Sequence, residues 1–576
     1  MKKTWKKERK GRTGWRFHLV LILFFAAGFL LISRLVFLQI IDNGFYRALA
    51  RGQQSTNTVQ VGERGDIFAQ DKEGNRYLLA TNQKVPYVFV TPIEVQDKEG
   101  TARELASLLS LTEEEVFVEL IREDTLHAVL KKDISEEEKR GLEETNMPGV
   151  YLGEELLRFY PHGAFASHVL GFVNMEGEGQ YGAEAYYDAQ LKGREGIASS
   201  PRSPAGYLFS FFSAPGARKG SNLLLTLDYN IQAVAEELIG KAVEDLQAQA
   251  GSILVVEPSS GKVIAMASYP EFDPNFYEQV SDLALFQNPL LQQLFEPGSV
   301  FKAVTMASAL DMGKVSPDTT YMDRGELRFG TNTITNYDAR VWGERSMGEV
   351  LQYSINTGAV FAEQQLGHRN FVEFLKKFGI FSSVGIDLAG EVFSRNLEFQ
   401  KGYEINYATA SFGQGVEMTP LQLVRAYTAF ARDGTMIQPH VGDLLLSTGE
   451  RESTEDRETT RVISQKAASQ ITGMLVQVTE EGYGKASRVP GYYIAGKTGT
   501  AQISWSALDV SRSGYSEETM QSFIGYAPAF DPRFLALVVL RDPQTKTAEY
   551  SAIPVFQKLA QYILTYYEVP PSQETP

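Results

Sequence analysis

The chain has 576 residues, 43% of them hydrophobic, with a formal net charge of −16, six histidines and no cysteine. At about 150 residues per domain this allows more than one core, and the acidity argues against a nucleic-acid-binding body. The missing cysteine excludes disulfides, thiolate nucleophiles and cysteine zinc sites. A zinc enzyme is further disfavoured because no His-Glu-x-x-His occurs, and His162 and His168, the closest pair, lack ligand spacing.

Lys2, Lys3, Lys6, Lys7, Arg9, Lys10, Arg12 and Arg16 precede an apolar run over 19–33, which is interrupted by Arg34 and resumes over 35–41. Counted across Arg34, the run reaches the roughly 20 residues that span a bilayer. A cleaved signal peptide would have an apolar core of about 7–15 residues and a small-residue cleavage site, and no Ala-x-Ala follows Ile41. The expectation is a cytoplasmic basic tail over 1–18, a transmembrane anchor over 19–41, and the remaining chain outside, since basic flanks stay on the cytoplasmic side. Arg34, near the outer end, can snorkel to the interface.

Residues 42–220 carry no catalytic motif. Within them 85–91 reads as a strand, 101–109 and 113–123 as short helices, and the acidic stretch 135–144 as a solvated helix face. Farther on, 223–228 reads as a strand, 230–246 as an amphipathic helix, 534–540 as a buried strand and 555–567 as a final helix. Strands at both ends with helices between them predict an α/β sandwich with a helical insertion. The charge-dense stretch 447–461 reads as an exposed loop. The last residues, 568–576, with three prolines, read as a disordered tail.

Three short motifs carry the chemistry: Ser299-Val300-Phe301-Lys302, Ser354-Ile355-Asn356 and Lys497-Thr498-Gly499-Thr500. Each is cheap alone, and the chain contains decoys. Ser259-Ser260-Gly261-Lys262 also spells Ser-x-x-Lys, but between two apolar runs it reads as a hairpin turn. Ser394-Arg395-Asn396 spells Ser-x-Asn in a polar loop. Ser299 differs because Glu296-Pro297-Gly298 breaks the chain before it and 301–310 continues as a buried helix. At that spacing Lys302 and Ser299 share a face with Cβ atoms about 5–6 Å apart. The helix start offers unpaired N–H groups and a positive dipole end. In isolation the motif reads as an N-cap serine before a surface lysine. With the two downstream motifs it reads as a nucleophile beside its base. Such a lysine must be held unprotonated by burial or by a neighbouring cation, for which Lys497 is the candidate. No Gly-x-Ser-x-Gly surrounds Ser299, which disfavours a Ser-His-Asp hydrolase.

On these motifs the chain resembles a class B penicillin-binding protein of the penicillin-recognising serine transferases. The resemblance extends to Ser411-Phe412-Gly413-Gln414-Gly415, Thr419-Pro420-Leu421-Gln422, Ala265-Met266-Ala267-Ser268 and Phe272-Asp273-Pro274-Asn275. Arg64-Gly65-Asp66-Ile67 resembles the start, and residues 179–196 the closing segment, of the family's N-terminal pedestal. The Ser411 to Gln422 stretch is more similar to the division and sporulation subgroup than to the elongation one.

The resemblance implies a serine β-lactamase-like transpeptidase domain over 221–567 and a mixed α+β pedestal, or dimerisation-like domain, over 42–220. It implies that Ser354 relays a proton to the leaving D-alanine while Asn356 orients Lys302 and holds the substrate amide. The backbone N–H groups of Ser299 and Thr500 would form the oxyanion hole, and Thr498 and Thr500, flanking Gly499, would bind the substrate carboxylate. No cofactor or metal is implied. The implied activity is peptidoglycan D,D-transpeptidation of D-Ala-D-Ala stem peptides with covalent β-lactam binding at the plasma membrane. A polytopic membrane glycosyltransferase partner is implied too, because the chain has no upstream domain of that size. D,D-carboxypeptidase and β-lactamase activities compete as fates of the same acyl-enzyme. An inactive membrane scaffold or a β-lactam sensor is the alternative of another class.

Overall fold

A computed structural model describes residues 14–36, 55–60, 62–122, 125–145, 147–193, 196–201, 218–447, 450–453, 457–508, 511–512 and 514–572. Helix α1 (Gly14–Val36) carries the apolar run. Its described side chains between His18 and Ser33 are almost all exposed. Among the described residues, no helix is long and apolar enough to cross a membrane, and most of the basic tail and residues 37–41 lie outside the described residues.

In the N-terminal half, β1 (Ile67–Gln70) turns back antiparallel into the long strand β2 (Arg76–Val90). The turn is held by the Asp71 carboxylate, which accepts from the backbone N–H groups of Glu73 and Asn75. The far part of β2 pairs with β3 (Ala128–Lys132) and β4 (Val150–Phe159). The expected helices form as α2 (Lys98–Leu109) and α3 (Glu113–Leu120), and the acidic stretch forms the helix Glu136–Thr145. Thr112 starts α3 with a capping box to Glu115. Leu105, Leu109, Val116 and Leu120 of these helices bury a small separate core against Val88 and Val90.

The segment resembling the pedestal's close is pinned to its start by buried charge. The Glu184 carboxylate is fully buried and accepts from Arg64 Nε at 2.7 Å and from Arg158 Nε at 2.6 Å. Asp188 takes a third bond from Arg64 at 2.6 Å. The Arg-Gly-Asp triplet therefore spends its arginine inside the fold.

Strand β5 (Asn222–Asp228) forms where expected, but it does not open the sheet of the C-terminal half. It runs parallel to β1 and antiparallel to the strand Gly442–Ser447, extending the N-terminal sheet. A Leu-Leu-Leu-Thr-Leu run buried on both faces suits any interior strand position, so its periodicity could not name its partners. Asp228 then caps α4 (Tyr229–Asp245) by accepting from the N–H groups of Asn230 and Ile231.

The central sheet has five antiparallel strands in the order β7-β6-β10-β9-β8: β6 (Ala250–Val256), β7 (Val263–Tyr269), β8 (Ala495–Ser504), β9 (Tyr515–Ala527) and β10 (Phe534–Arg541). Gly261, at φ +80°, turns β6 into β7, so Ser-Ser-Gly-Lys is the hairpin expected of it. One face packs on α4 and the last helix, Ala552–Tyr566, through Ile239, Ile253, Phe523, Val538 and Phe556. The other face packs on the helical insertion through Leu254, Val300, Ala307, Ile524 and Leu537.

Two sequence expectations are corrected at the margins. Within 447–461, Glu450–Ser453 pairs with Gly442–Ser447, and Thr459–Arg461 pairs with Thr435–Ile437. Edge strands satisfy their backbone while tolerating exposed charge, which is why composition read loop. The start of the expected tail is docked: the Val569 carbonyl accepts from Tyr492 Oη at 2.5 Å, and Ser572 N–H donates to the Gly491 carbonyl at 2.9 Å. Residues 573–576 lie outside the described residues.

Candidate active site

Ser299 sits in the 3-10 turn Gly298–Phe301, which runs directly into the helix Lys302–Asp311. Every residue from Lys302 to Leu310 is buried, which disposes of the surface-lysine alternative. Gly298 takes φ +61°, and its N–H donates to the Gly413 carbonyl at 3.0 Å. A Cβ on Gly413, itself at φ +82°, would lie 2.2 Å from the Gly298 carbonyl oxygen, so only glycine fits there. The Ser411-to-Gly415 motif is thus the cradle of the nucleophile turn. Thr419 and Gln422 form a capping box on the helix Pro420–Ala431, whose Tyr427 hydroxyl donates to the Val300 carbonyl at 2.6 Å. The decoy serine, Ser394, bonds the Glu417 carboxylate instead.

The first two motifs converge on one ammonium-sized point, and the third joins them through the Ser354 hydroxyl. Lys302 Nζ lies 3.0 Å from Ser299 Oγ, 2.6 Å from the Ser354 carbonyl, 3.1 Å from Ser354 Oγ and 2.7 Å from Asn356 Oδ1. The Asn356 amide is oriented by donating its Nδ2 to the Thr335 carbonyl at 2.9 Å. Burial, and then the charge of Lys497, hold the Lys302 ammonium well below the usual lysine range. A neutral amine has two N–H donors and one lone pair. The Ser354 carbonyl and Asn356 Oδ1 can only accept, so they take the two donors, and the lone pair is left for a hydroxyl.

Ser354 occupies the left-handed region at φ +55°, a strained conformation for a residue with a Cβ. Its hydroxyl bridges the two lysines, with Lys497 Nζ at 3.0 Å. Lys497 is fully buried, and that burial pushes it down to about 7. It stands on edge strand β8, where Gly499 is required by close approach: a Cβ there would come within 2.4 Å of Ser522 Oγ. Ser299, Ser354, Asn356, Thr498 and Thr500 line one cavity of about 860 Å³. All eight predicted site residues therefore fall in one place, with Gly499 acting through backbone shape.

Sequence reasoning missed the supports of this site. Buried Asp323 accepts from Thr357 Oγ1 at 2.6 Å, Asn336 Nδ2 at 3.0 Å and the Trp342 N–H at 2.7 Å, fixing the segment that supplies Thr335. Glu296, named in the sequence only as part of the break before Ser299, is a support as well: its carboxylate accepts from Tyr515 Oη at 2.9 Å and ties β9 to the nucleophile turn. No spacing signal marks either cluster, because the partners are distant in sequence. Burial pushes Glu296 up to about 7, so its folded state favours the protonated form. Its contribution to stability is complete below about pH 4.5 and is lost as pH rises through 7. In thermal melts, wild type should lose roughly 1–3 kcal/mol more than Glu296→Gln between pH 4.5 and 8. Parallel pH profiles for the two proteins would refute this.

Comparison with known proteins agrees with this geometry. Residues 251–561 match the penicillin-binding protein transpeptidase domain, and residues 59–225 match the penicillin-binding protein dimerisation domain. The chain is 31% identical over 538 residues to stage V sporulation protein D of Bacillus subtilis, covering 91% of this chain and 81% of that protein. It is 27% identical over 593 residues to the peptidoglycan D,D-transpeptidase FtsI homolog of Mesostigma viride, covering 97% of each. The crystal structure of penicillin-binding protein 3 from Mycobacterium tuberculosis complexed with aztreonam superposes with TM-score 0.68 at 25% identity, over 90% of this chain and 99% of that one. A nucleophile turn, a buried lysine and a Lys-Thr-Gly edge strand in this order, behind a dimerisation domain, place the chain in the penicillin-binding protein family, as a serine-type transpeptidase of its division and sporulation branch.

Proposed function

We propose that the chain is a peptidoglycan D,D-transpeptidase that works through an acyl-enzyme on Ser299, anchored by a single N-terminal span with its catalytic half outside the plasma membrane. The observation that carries the reading is the 3.0 Å contact between Lys302 Nζ and Ser299 Oγ beside two acceptors that consume the amine's other bonds. Lys302 accepts the Ser299 proton as Oγ attacks the carbonyl carbon of the penultimate D-alanine. Ser354, between both lysines, passes that proton to the departing D-alanine nitrogen as the C–N bond breaks. The N–H groups of Ser299 and Thr500 hold the oxyanion, while Thr498 and Thr500 hold the terminal carboxylate. An amine from a second stem peptide then attacks the ester, forming the cross-link and returning the proton to Ser299 Oγ.

The same serine accounts for β-lactam capture, since ring opening delivers the same acyl oxygen bond. The basic residues before the apolar run support the inside-to-outside orientation. The absence of a glycan-polymerising motif among residues 42–220 supports a polytopic membrane glycosyltransferase as partner. Intact mass after incubation with benzylpenicillin should show one stable adduct, absent in Ser299→Ala. Rapid drug turnover without an adduct would make hydrolysis the function, and a folded protein that never acylates would favour a scaffold.

A further inference from the structure

The cavity has two unlike walls. On the strand side stand Thr498, Thr500 and the 546–550 loop, and on the helical side Arg340, Trp342, Tyr353 and Tyr483. Tyr353 immediately precedes Ser354, and its ring stacks on Trp342 with centroids 4.9 Å apart and planes 15° apart. Tyr483 meets Tyr353 edge-on at 6.4 Å. Arg340 lies over Trp342 at 5.9 Å and donates from Nη1 to Tyr483 Oη at 2.8 Å.

A second arginine, Arg345, packs against the same rings at 5.7 and 6.0 Å but is engaged by Glu349 at 2.7 Å. Among the described residues Arg340 is ion-paired only with Asp338, at 3.9 Å, with both side chains about half exposed, a pair that solvent screens heavily. The result is a cation fixed on an aromatic shelf at the cavity wall, with guanidinium donors still open. A guanidinium ordered this way matches a carboxylate through two parallel bonds with little further loss of freedom.

Resting on the transpeptidase reading above, we infer that Arg340, set on the Trp342–Tyr353 stack, is a specificity-determining residue that binds a carboxylate carried by the acyl acceptor beside its attacking amine. The donor's own carboxylate belongs to Thr498 and Thr500 on strand β8. The acceptor amine must lose a proton as it attacks, so it enters from the side of Ser354 and Lys302. Tyr353, next in the chain to Ser354, carries the stack that ends in Arg340.

The test uses the protein with an N-acyl-D-alanyl thioester as donor and either D-alanine or D-alaninamide as acceptor. The thioester acylates Ser299 and releases thiolate; the amine then forms the new C–N bond, and Ser299 Oγ leaves with the proton. Wild type should favour D-alanine over the amide by about tenfold or more in the ratio of aminolysis to hydrolysis. In Arg340→Ala that preference should fall to within about twofold, with Arg340→Lys intermediate. Thiolate release without acceptor and the rate of the benzylpenicillin adduct should stay at wild-type values in both variants, which also shows that they are folded. Retained preference in Arg340→Ala, no preference in wild type, or a preference abolished instead by Lys546→Ala on the far wall would each overturn the inference. A wild type that releases no thiolate would overturn the transpeptidase reading together with it.

Discussion

Lys302→Ala should leave a folded protein that acylates with benzylpenicillin about 10²–10⁴-fold more slowly than wild type, the range expected for removing a positioned general base. Two lysines flank Ser354 Oγ, at 3.1 and 3.0 Å, and only Lys302 also reaches Ser299 Oγ. Burial and Lys497 both depress the Lys302 ammonium. The wild-type acylation rate should therefore level off at a pH well below the range in which a free lysine loses its proton. Below that plateau the rate should fall as the amine regains a proton, and the Lys302→Ala variant should lack this limb. Lys497→Ala should act in the same direction by a different route, because it removes the cation that helps keep Lys302 neutral and one of the two partners of Ser354. Stopped-flow acylation across pH on the three proteins decides the assignment. A Lys302→Ala variant acylating near the wild-type rate would hand the base role to Lys497.

The second large effect concerns the pedestal. Glu184→Ala should destabilise the protein by about 3–5 kcal/mol, the loss typical of removing one partner from a buried ion cluster. The Glu184 carboxylate is inaccessible and is shared by Arg64 and Arg158, which are themselves only 8% and 3% exposed. Its removal strands two guanidinium groups in a region with little water to hydrate them. Asp188 still holds Arg64 at 2.6 Å, so Arg158 bears more of the penalty. Glu184→Gln, which keeps the shape and the acceptor but not the charge, should lose less. Urea unfolding of the three proteins measures the order directly, and equal stability of Glu184→Ala and wild type would show that the cluster only balances its own desolvation.

Much of the chemistry was legible in the linear chain because it is local. Ser299 and Lys302 are one helical turn apart, so their meeting follows from the geometry of the turn. Lys497, Thr498, Gly499 and Thr500 are consecutive on one strand. The glycine turn at Gly261 is local as well. Apolar runs buried on both faces named the strands but not their neighbours: the run over 223–228 reads like 534–540, yet one joins the pedestal sheet and the other the centre of the five-stranded sheet.

The rest was decided by tertiary structure, for a physical reason. Bringing Ser354 between two lysines, orienting Asn356 from Thr335, neutralising Glu184 with two arginines and bonding Arg340 to Tyr483 all join residues far apart in sequence. No periodicity encodes such pairings, and burial, which sets the protonation of Lys302, Lys497 and Glu296, exists only once the chain has packed. Residue types and their spacing in the sequence determined which groups are available to react. The packed fold decided which of them are charged, which are neutral, and what each one touches.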